Sequence, residues 1–174
     1  MRVPRESPDE VTTGADGLPT DPRYAAWMAH ALVLAERAGA AGDVPVGAVV
    51  VSPAGKVVGE GWNAREVDGD PVAHAEVRAL QAAARHNAHT GSWRLTDHTL
   101  VVTLEPCPMC AGAMALARIR TCVLGAWDPR AGACGSVWDL ARDRRATHWV
   151  EVVGGVREPE CSRLLLDFFA GRRL

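Results

Sequence analysis

His74-Ala75-Glu76 and Pro106-Cys107-Pro108-Met109-Cys110 are the two stretches from which the fold and chemistry of this chain can be inferred. Together they supply one imidazole, two thiols and one carboxylate. A hydrolytic zinc site uses three protein ligands and keeps a fourth position open for water. His74, Cys107 and Cys110 fit that ligand set, which leaves Glu76 to move protons between the bound water and a substrate. The sequence therefore predicts one catalytic zinc ion per chain.

Each motif taken alone has a more ordinary interpretation. His-x-Glu commonly marks a solvated helix face, and Cys-x-x-Cys also occurs as a redox pair or as half of a structural zinc site. A structural site needs a fourth protein ligand, and the remaining cysteines are Cys122, Cys134 and Cys161. These three lie in apolar or unpaired surroundings, where cysteine usually acts as a small hydrophobic residue. The combination of both motifs, roughly 30 residues apart, favours the catalytic site.

The residues around the first motif predict a helix. Asp70-Pro71 is typical of a helix entry, because proline is favoured in the first turn. The run 72–85 is rich in Ala, Leu and Gln, which favour helix. His74 and Glu76 are therefore expected in the first turn of this helix.

The second motif follows a predicted strand. Residues 99–104 form an apolar, β-branched run, which predicts a buried strand that Pro106 ends. Residues 109–118 predict a second helix. Cys107 and Cys110 are then expected at a helix N-terminus, where the helix dipole favours the thiolate form.

The rest of the chain alternates between strand and helix patterns. In order, these are a helix over 23–41, strands over 44–51 and 56–61 joined by a turn, a strand over 121–126, a Gly-rich loop over 128–136, a short helix over 137–143, a strand over 148–153 and a closing helix over 159–171. Such alternation predicts an α/β fold, a three-layer α/β/α domain with a central mixed five-stranded sheet. Ligands bind such sheets at the carboxyl ends of strands, where the metal motifs are expected.

Length and composition indicate one domain, over residues 23–174, behind a disordered N-terminal extension over residues 1–22. The net charge of −2 is not the basic footprint of a nucleic-acid-binding protein. Residues 1–22 carry five acidic and two basic residues, which leaves the rest of the chain at +1. Arginines cluster over 142–145 and at 172–173, so any phosphate-binding patch is expected to be local.

No stretch has the length and hydropathy of a membrane span or of a signal peptide, so no membrane association is expected. Five cysteines are an odd count, and two of them belong to the metal motif. This favours a reducing, cytoplasmic location over a disulfide framework.

From Tyr24 to Arg173 the chain resembles the bacterial tRNA-specific adenosine deaminase family of the cytidine deaminase-like superfamily. The zinc motif specifies the superfamily, and further matching blocks narrow it to the adenosine branch. These blocks are Val44-Pro45-Val46-Gly47-Ala48-Val49, Gly61-Trp62-Asn63, Asp70-Pro71-Val72-Ala73, Thr103-Leu104-Glu105, Ala111-Gly112-Ala113-Met114, Arg118-Ile119, Gly125-Ala126 and Asp167-Phe168-Phe169.

The resemblance implies a cytidine deaminase-like fold and a zinc-dependent hydrolase that acts on an amidine C–N bond. The substrate would be the wobble adenosine of a tRNA anticodon loop, in an arginine tRNA, flipped into the pocket and converted to inosine. Glu76 would be the proton shuttle, with hydroxide from the zinc-bound water as the nucleophile. The implied substrate-binding residues are Asn63, Val44, Pro45, Ala75, Asp128, His148 and Phe169.

Several of these residues also have a structural interpretation. Asn63 can close the Gly-Trp-Asn turn, Val44 and Pro45 can belong to the core, and Asp128 can cap the turn that follows it. Phe168, Phe169 and the Arg172-Arg173 pair are implied to lie beside the RNA, although phenylalanine in a terminal helix is more often core.

Two tryptophans depart from the family pattern. Trp127 and Trp149 stand where the family usually has basic residues. The exchange removes phosphate donors, but tryptophan can stack on an unpaired base.

Two other functions share some of these features. A deaminase of a free base or nucleoside, of guanine or cytosine type, or of single-stranded DNA, carries the same zinc motif. A non-catalytic RNA-binding subunit on this fold would have no need for Glu76. The resemblance also implies a homodimer, for which apolar Met109, Met114 and Leu116 on one helix offer weak support, because they equally suit the core of a monomer.

Overall fold

The computed structural model describes residues 21–171. The predicted extension over residues 1–22 lies outside this range except for its last two residues, and so does the Arg172-Arg173 pair. The domain boundary at residue 22 therefore stays a prediction.

The helices are α1 (Arg23–Ala40), α2 (Arg65–Asp68), α3 (Ala75–His86), α4 (Pro108–Ala117) and α5 (Glu158–Ala170), with a 3-10 turn at Asn87–Thr90. The strands are β1 (Gly47–Val51), β2 (Val57–Trp62), β3 (Thr99–Leu104), β4 (Thr121–Ala126) and β5 (Glu151–Val153).

The five strands form one mixed sheet in the order β2-β1-β3-β4-β5. Strand β1 is antiparallel to β2 and β3, whereas β3, β4 and β5 are parallel. The start of β1 and the ends of β2, β3 and β4 therefore lie together at one end of the sheet, the carboxyl end of its parallel strands. The chain segments that carry the metal motif and the predicted substrate residues leave or enter the sheet at this end.

Two apolar clusters cover the two faces of the sheet, because side chains of a strand alternate between faces. Ala48 and Val50 of β1 pack with α3 and α4 on one face. Val49 and Val51 pack with α1 and α5 on the other. The predicted three-layer α/β/α architecture with a mixed five-stranded sheet is confirmed.

Helix α3 lies unusually close to β2. A Cβ atom added at Gly61 would come within 2.1 Å of the Ala75 carbonyl oxygen. Only a residue without a side chain allows this approach. The contact fixes the height of α3 above the sheet, and α3 carries Glu76 in its first turn.

The short helix predicted over Val137–Asp143 is wrong. This segment instead folds back on the preceding loop, with Trp138 N–H donating to the Gly132 carbonyl (3.0 Å) and Leu140 N–H to the Ala133 carbonyl (2.9 Å). The Arg142 side chain bonds the Asp139 carboxylate at 3.0 Å, which stabilises the turn. These non-local bonds replace the i to i+4 pattern of a helix.

Other element boundaries differ less. Strand β5 begins at Glu151 and not at residue 148, β1 begins at Gly47 and not at residue 44, and the single turn α2 was not predicted. Between residues 21 and 171, no helix combines the length and the hydropathy that crossing a membrane requires.

Candidate metal centre and substrate pocket

The three predicted ligands meet at two helix N-termini. His74 is the N-cap of α3 and Cys107 the N-cap of α4, both with extended backbone, and Cys110 lies in the first turn of α4. His74 Nδ1 is 3.7 Å from Cys107 Sγ and 3.5 Å from Cys110 Sγ. All three ligand atoms lie within 4.8 Å of one another.

This spacing fits a zinc ion. Bond lengths of about 2.05 Å to nitrogen and 2.3 Å to sulfur in a tetrahedron place nitrogen and sulfur about 3.6 Å apart. Among the residues that the structure describes, no further histidine, cysteine or carboxylate joins this group as a fourth ligand. Cys122 and Cys134 are buried in the cluster beneath α3 and α4, and Cys161 is buried on the other face. The donor set is thus that of a three-ligand site with one open position.

The two thiols of the metal-free site share one proton. The Cys110 thiol donates to Cys107, which lowers the pKa of Cys107 to about 3 despite its partial burial. The same bond, with burial, raises the pKa of Cys110. The bond to the Cys107 sulfur also raises the pKa of His74. One thiolate is therefore preformed, as a metal ligand requires.

Glu76 is the buried carboxylate of the site, with 4% of its surface exposed. Burial raises its pKa, and the neighbouring His74 opposes that rise. A raised pKa suits a carboxyl group that must both accept and deliver a proton in one reaction.

A cavity of about 230 Å³ opens beside these residues. This is just below the ~300 Å³ at which small-molecule pockets usually begin, a size that suits one small planar group. It brings together four predicted substrate-binding residues with Glu76 and two of the three metal ligands, His74 and Cys107. Its lining consists of Val44, Val46, Asn63, Arg65, His74, Ala75, Glu76, Leu104, Glu105, Cys107, Asp128 and Ala131.

Residues 22–126 match the zinc-binding region of cytidine and deoxycytidylate deaminases. The tRNA-specific adenosine deaminase of Haemophilus influenzae is 47% identical over 146 residues, which are 84% of this chain and 83% of that protein. The chain belongs to the tRNA-specific adenosine deaminase family. The predicted zinc cofactor is thereby confirmed, since the family's zinc-binding region covers all three ligands.

Two further similarities agree with this assignment. A solved structure from work on A-to-I editing by tRNA:A34 deaminases at the wobble position of transfer RNA superimposes with a TM-score of 0.74. It is 38% identical and covers 80% of this chain and 99% of that one. A tRNA(Ile)-lysidine synthase of Deinococcus radiodurans is 51% identical over 88% of this chain, but the match spans only 25% of that protein.

Asn63 is buried in the wall of the deaminase pocket. Its backbone N–H donates to the Val46 carbonyl (2.9 Å) and its side-chain Nδ2 to the Val44 carbonyl (3.1 Å). These bonds tie the end of β2 to the segment before β1. The bond to the Val44 carbonyl also fixes the orientation of the Asn63 side-chain amide.

Asp128 lines the pocket and also closes a turn, since its Oδ1 accepts from the Arg130 N–H at 2.9 Å. Both interpretations of this residue are therefore compatible with its position.

Three predicted substrate-binding residues lie elsewhere in the deaminase. Pro45 is buried and faces Gly39 at the end of α1, while its neighbours Val44 and Val46 line the pocket. His148 precedes β5 at the amino end of the parallel strands, away from the pocket, and its Nε2 lies 2.6 Å from the Ile119 carbonyl oxygen. Phe169 is half-exposed on α5 and makes an edge contact with Phe168. Their roles toward a substrate stay predictions.

Glu105 was not identified from the sequence, although it lies in the matching Thr-Leu-Glu-Pro-Cys block. Its buried carboxylate accepts backbone N–H bonds from Asp128 (2.9 Å), Cys134 (2.9 Å) and Ser136 (3.1 Å), and a bond from the Ser136 hydroxyl. It therefore holds the loop that carries Asp128. Its position directly after a predicted buried strand was the feature of the sequence that could have identified Glu105 as a site residue.

Proposed function

We propose that this protein hydrolytically deaminates adenosine to inosine at the wobble position of a tRNA anticodon. The observation that carries the proposal is one cavity whose lining includes the metal ligands His74 and Cys107, buried Glu76, Asn63 and Asp128. The family membership supports the reaction class, and the relatives' printed substrates support tRNA. An arginine tRNA is the expected substrate, from the family resemblance alone.

The reaction replaces the C6 amino group of adenine by oxygen and releases ammonia. His74, Cys107 and Cys110 would hold the zinc ion, which when bound would lower the pKa of a water so that hydroxide is available near neutral pH. Glu76 would take one proton from the attacking water and deliver it to the purine ring, and would then pass the remaining proton of the hydroxyl group added at C6 to the departing amine. Its burial suits this work, because a carboxyl group with a raised pKa releases and regains a proton readily.

The pocket walls orient the base. Val44, Val46 and Leu104 offer apolar surface to the ring, and Asn63 offers a fixed amide. Asp128, which lines the same cavity, would accept a hydrogen bond from a ribose 2′-hydroxyl, the group that distinguishes RNA from DNA. A base stacked in a folded anticodon loop must leave the stack to reach this cavity.

We further propose that the enzyme is a homodimer. An apolar groove of about 320 Å³ lies between α3 and α4, with Leu116 73% and Trp93 58% exposed beside it. Met114 is fully buried and belongs to the monomer core, so it offers no support. Sedimentation at micromolar concentration is expected to give a dimer and Leu116→Arg a monomer. A wild-type monomer would contradict this proposal.

We also propose a cytoplasmic location, because tRNA is the substrate and the site needs reduced Cys107 and Cys110. None of the five cysteines forms a disulfide. Fractionation of cells that express the protein at native levels tests this.

A single-turnover assay on an anticodon stem-loop with a wobble adenosine tests the reaction. Inosine is detected as guanosine after reverse transcription, and free guanine, cytosine, adenosine and single-stranded DNA are tested alongside. We expect conversion of the hairpin only, and loss of conversion with retained zinc for Glu76→Ala. Turnover of a free base or of DNA without conversion of the hairpin would move the protein to another deaminase branch. Substantial turnover by Glu76→Ala would contradict the proton-shuttle role.

A further inference from the structure

We propose that Arg65 binds a backbone phosphate adjacent to the adenosine in the pocket, and that buried Asp43 fixes the turn that places Arg65 there. The inference rests on the proposed function, since it needs a substrate nucleotide that is part of a polynucleotide. It concerns the first turn after Asn63, which was not singled out from the sequence.

Arg65 is the cation of the pocket lining. Among the described residues that line the cavity, it is the only arginine or lysine. It is exposed, and its guanidinium makes no ion pair with any residue between 21 and 171. An arginine fork without a carboxylate partner keeps its donors for an anion, and its geometry suits phosphate.

Apart from Arg65 and the metal ligands, the titratable side chains of the lining are all carboxyl groups. Glu76, Glu105 and Asp128 share the cavity with Arg65. Glu105 and Asp128 bring carboxylates to this lining, and a zinc ion bound by two thiolates and one imidazole would add no net positive charge to offset them. A nucleotide in an RNA chain brings phosphates on both sides of its ribose, and like charges repel at this range. Arg65 is the side chain of this lining that can offset the repulsion.

The turn that carries Arg65 is fixed by a carboxylate from a distant part of the chain. Helix α2 has four residues, and its N-cap is Ala64, whose side chain cannot accept a hydrogen bond. Asp43 supplies the missing acceptors, since Oδ1 accepts from the Glu66 N–H (3.0 Å) and Oδ2 from the Val67 N–H (3.1 Å). Asp43 is 1% exposed, so its carboxylate is committed to this contact.

Both ends of the turn are tied down as well. The Ala64 N–H donates to the Ala73 carbonyl (3.1 Å), directly before the ligand His74. Asp68 at the end of α2 forms an ion pair with Arg78 of α3. A single helical turn is not stable alone, so these contacts hold the Arg65 backbone in place relative to the metal centre.

Binding of the hairpin by zinc-loaded protein tests the assignment. All proteins carry Glu76→Ala, so that the RNA is not converted, and fluorescence anisotropy is measured across a range of salt concentrations. Arg65→Gln is compared with Arg85→Gln, which removes an exposed arginine of α3 outside the pocket lining that likewise has no ion pair with a described residue. We expect Arg65→Gln to weaken binding roughly tenfold or more. The slope of log affinity against log salt should fall by about 0.7, the value for one phosphate contact on a single strand.

Chemical removal of the phosphate charge makes the test specific. Methylphosphonate is placed at each of the two phosphates that flank the adenosine in turn. At one of them, wild-type Arg65 should lose about as much affinity as Arg65→Gln loses on native RNA, and Arg65→Gln should lose no more. Independent, additive losses at both positions, or native affinity for Arg65→Gln, would overturn the assignment.

Asp43→Asn tests the positioning role. Asparagine keeps one acceptor but turns a donor toward the second N–H, so the turn loosens while the fold is retained. With Glu76 intact, we expect a raised half-saturation in single turnover, an unchanged saturating rate and a weaker methylphosphonate effect. A lowered melting temperature with unchanged half-saturation and salt slope would make Asp43 purely structural.

The two proposals fail in different ways. If wild-type protein converts the hairpin and Arg65→Gln does so with the same half-saturation, the phosphate assignment alone is wrong. If wild-type protein neither binds nor converts the hairpin, the proposed function is wrong and the phosphate assignment with it.

Discussion

Replacing Glu105 by glutamine should loosen the wall of the pocket that carries Asp128. Four hydrogen bonds end on this buried carboxylate, two on each oxygen. Glutamine can keep the pair from Cys134 and Ser136 on its carbonyl oxygen. Its amide nitrogen then faces the Asp128 N–H, which places a donor against a donor.

The magnitude follows from those bonds. Losing one hydrogen bond to a charged acceptor costs about 1.5–3 kcal/mol, and the two retained bonds lose their charge assistance. The sum is about 3 kcal/mol in the free energy of unfolding. For a domain of this size, that corresponds to a drop of about 6–12 °C in melting temperature.

The assay is thermal unfolding of zinc-saturated protein, followed by circular dichroism. Glu36→Gln is the matched control, because Glu36 is an exposed glutamate of α1 and its replacement removes the same charge. It should change stability by at most ~0.5 kcal/mol. Half-saturation for the hairpin should also rise in Glu105→Gln, since Asp128 is no longer held. Equal melting temperatures for the two variants would refute the reasoning.

Three more outcomes are expected. Gly61→Ala should cost at least about 3 kcal/mol and weaken zinc binding, because the new Cβ meets the Ala75 carbonyl at 2.1 Å; Gly112→Ala, with nothing within 4 Å, should be neutral or stabilising in urea unfolding. In metal-free protein at pH 7, iodoacetamide should modify Cys107 before the four buried cysteines, and zinc should protect it, as mass spectrometry would show. Because the pKa of Cys110 is raised, zinc binding should release at least one proton and should tighten as pH rises. Titration calorimetry in buffers of different ionisation enthalpy, repeated at several pH values, measures both effects. A zinc affinity that does not change with pH would contradict this expectation.

The metal ligands could be predicted from the sequence because the chemistry of zinc restricts both residue type and spacing. Cys107 and Cys110 lie on one helical turn, so their distance is set locally. The position of His74 beside them depends on the sheet. It could still be expected, because the helix entry at Asp70-Pro71 and the strand before Cys107 could both be predicted from the sequence. The helix itself begins at Ala75, which makes His74 its N-cap.

The loop over 128–136 and the segment after it could not be predicted in the same way. Their conformation depends on Glu105, whose partners lie 23 to 31 residues away in sequence. Asp43 and the first turn of α2 are separated by 23 and 24 residues. No local periodicity reports such contacts. Local composition over 137–143 instead suggested a helix, and the non-local bonds overrode it.

The two tryptophans that depart from the family pattern have different environments. Trp127 packs against the core, and its ring lies so close to Gly154 that a Cβ there would be 2.2 Å from Cζ2. It therefore fills the space between the loop and β5. Trp149 is 59% exposed, so packing does not account for it. The first departure is thus accounted for by packing, and only the second bears on RNA stacking.

The absence of a basic composition, which argued against nucleic-acid binding, is reconciled by the shape of the site. A protein that grips a long duplex must neutralise many phosphates, and its net charge reflects that. A pocket that receives one extruded nucleotide needs a cation only where the flanking phosphates pass its lining. Arg65 lies there without a carboxylate partner, whereas Arg142, Arg145 and Arg157 are each paired with a nearby acid. On the proposed phosphate contact, the position of Arg65 in the pocket lining matters more for RNA binding than the sum of charges over the chain.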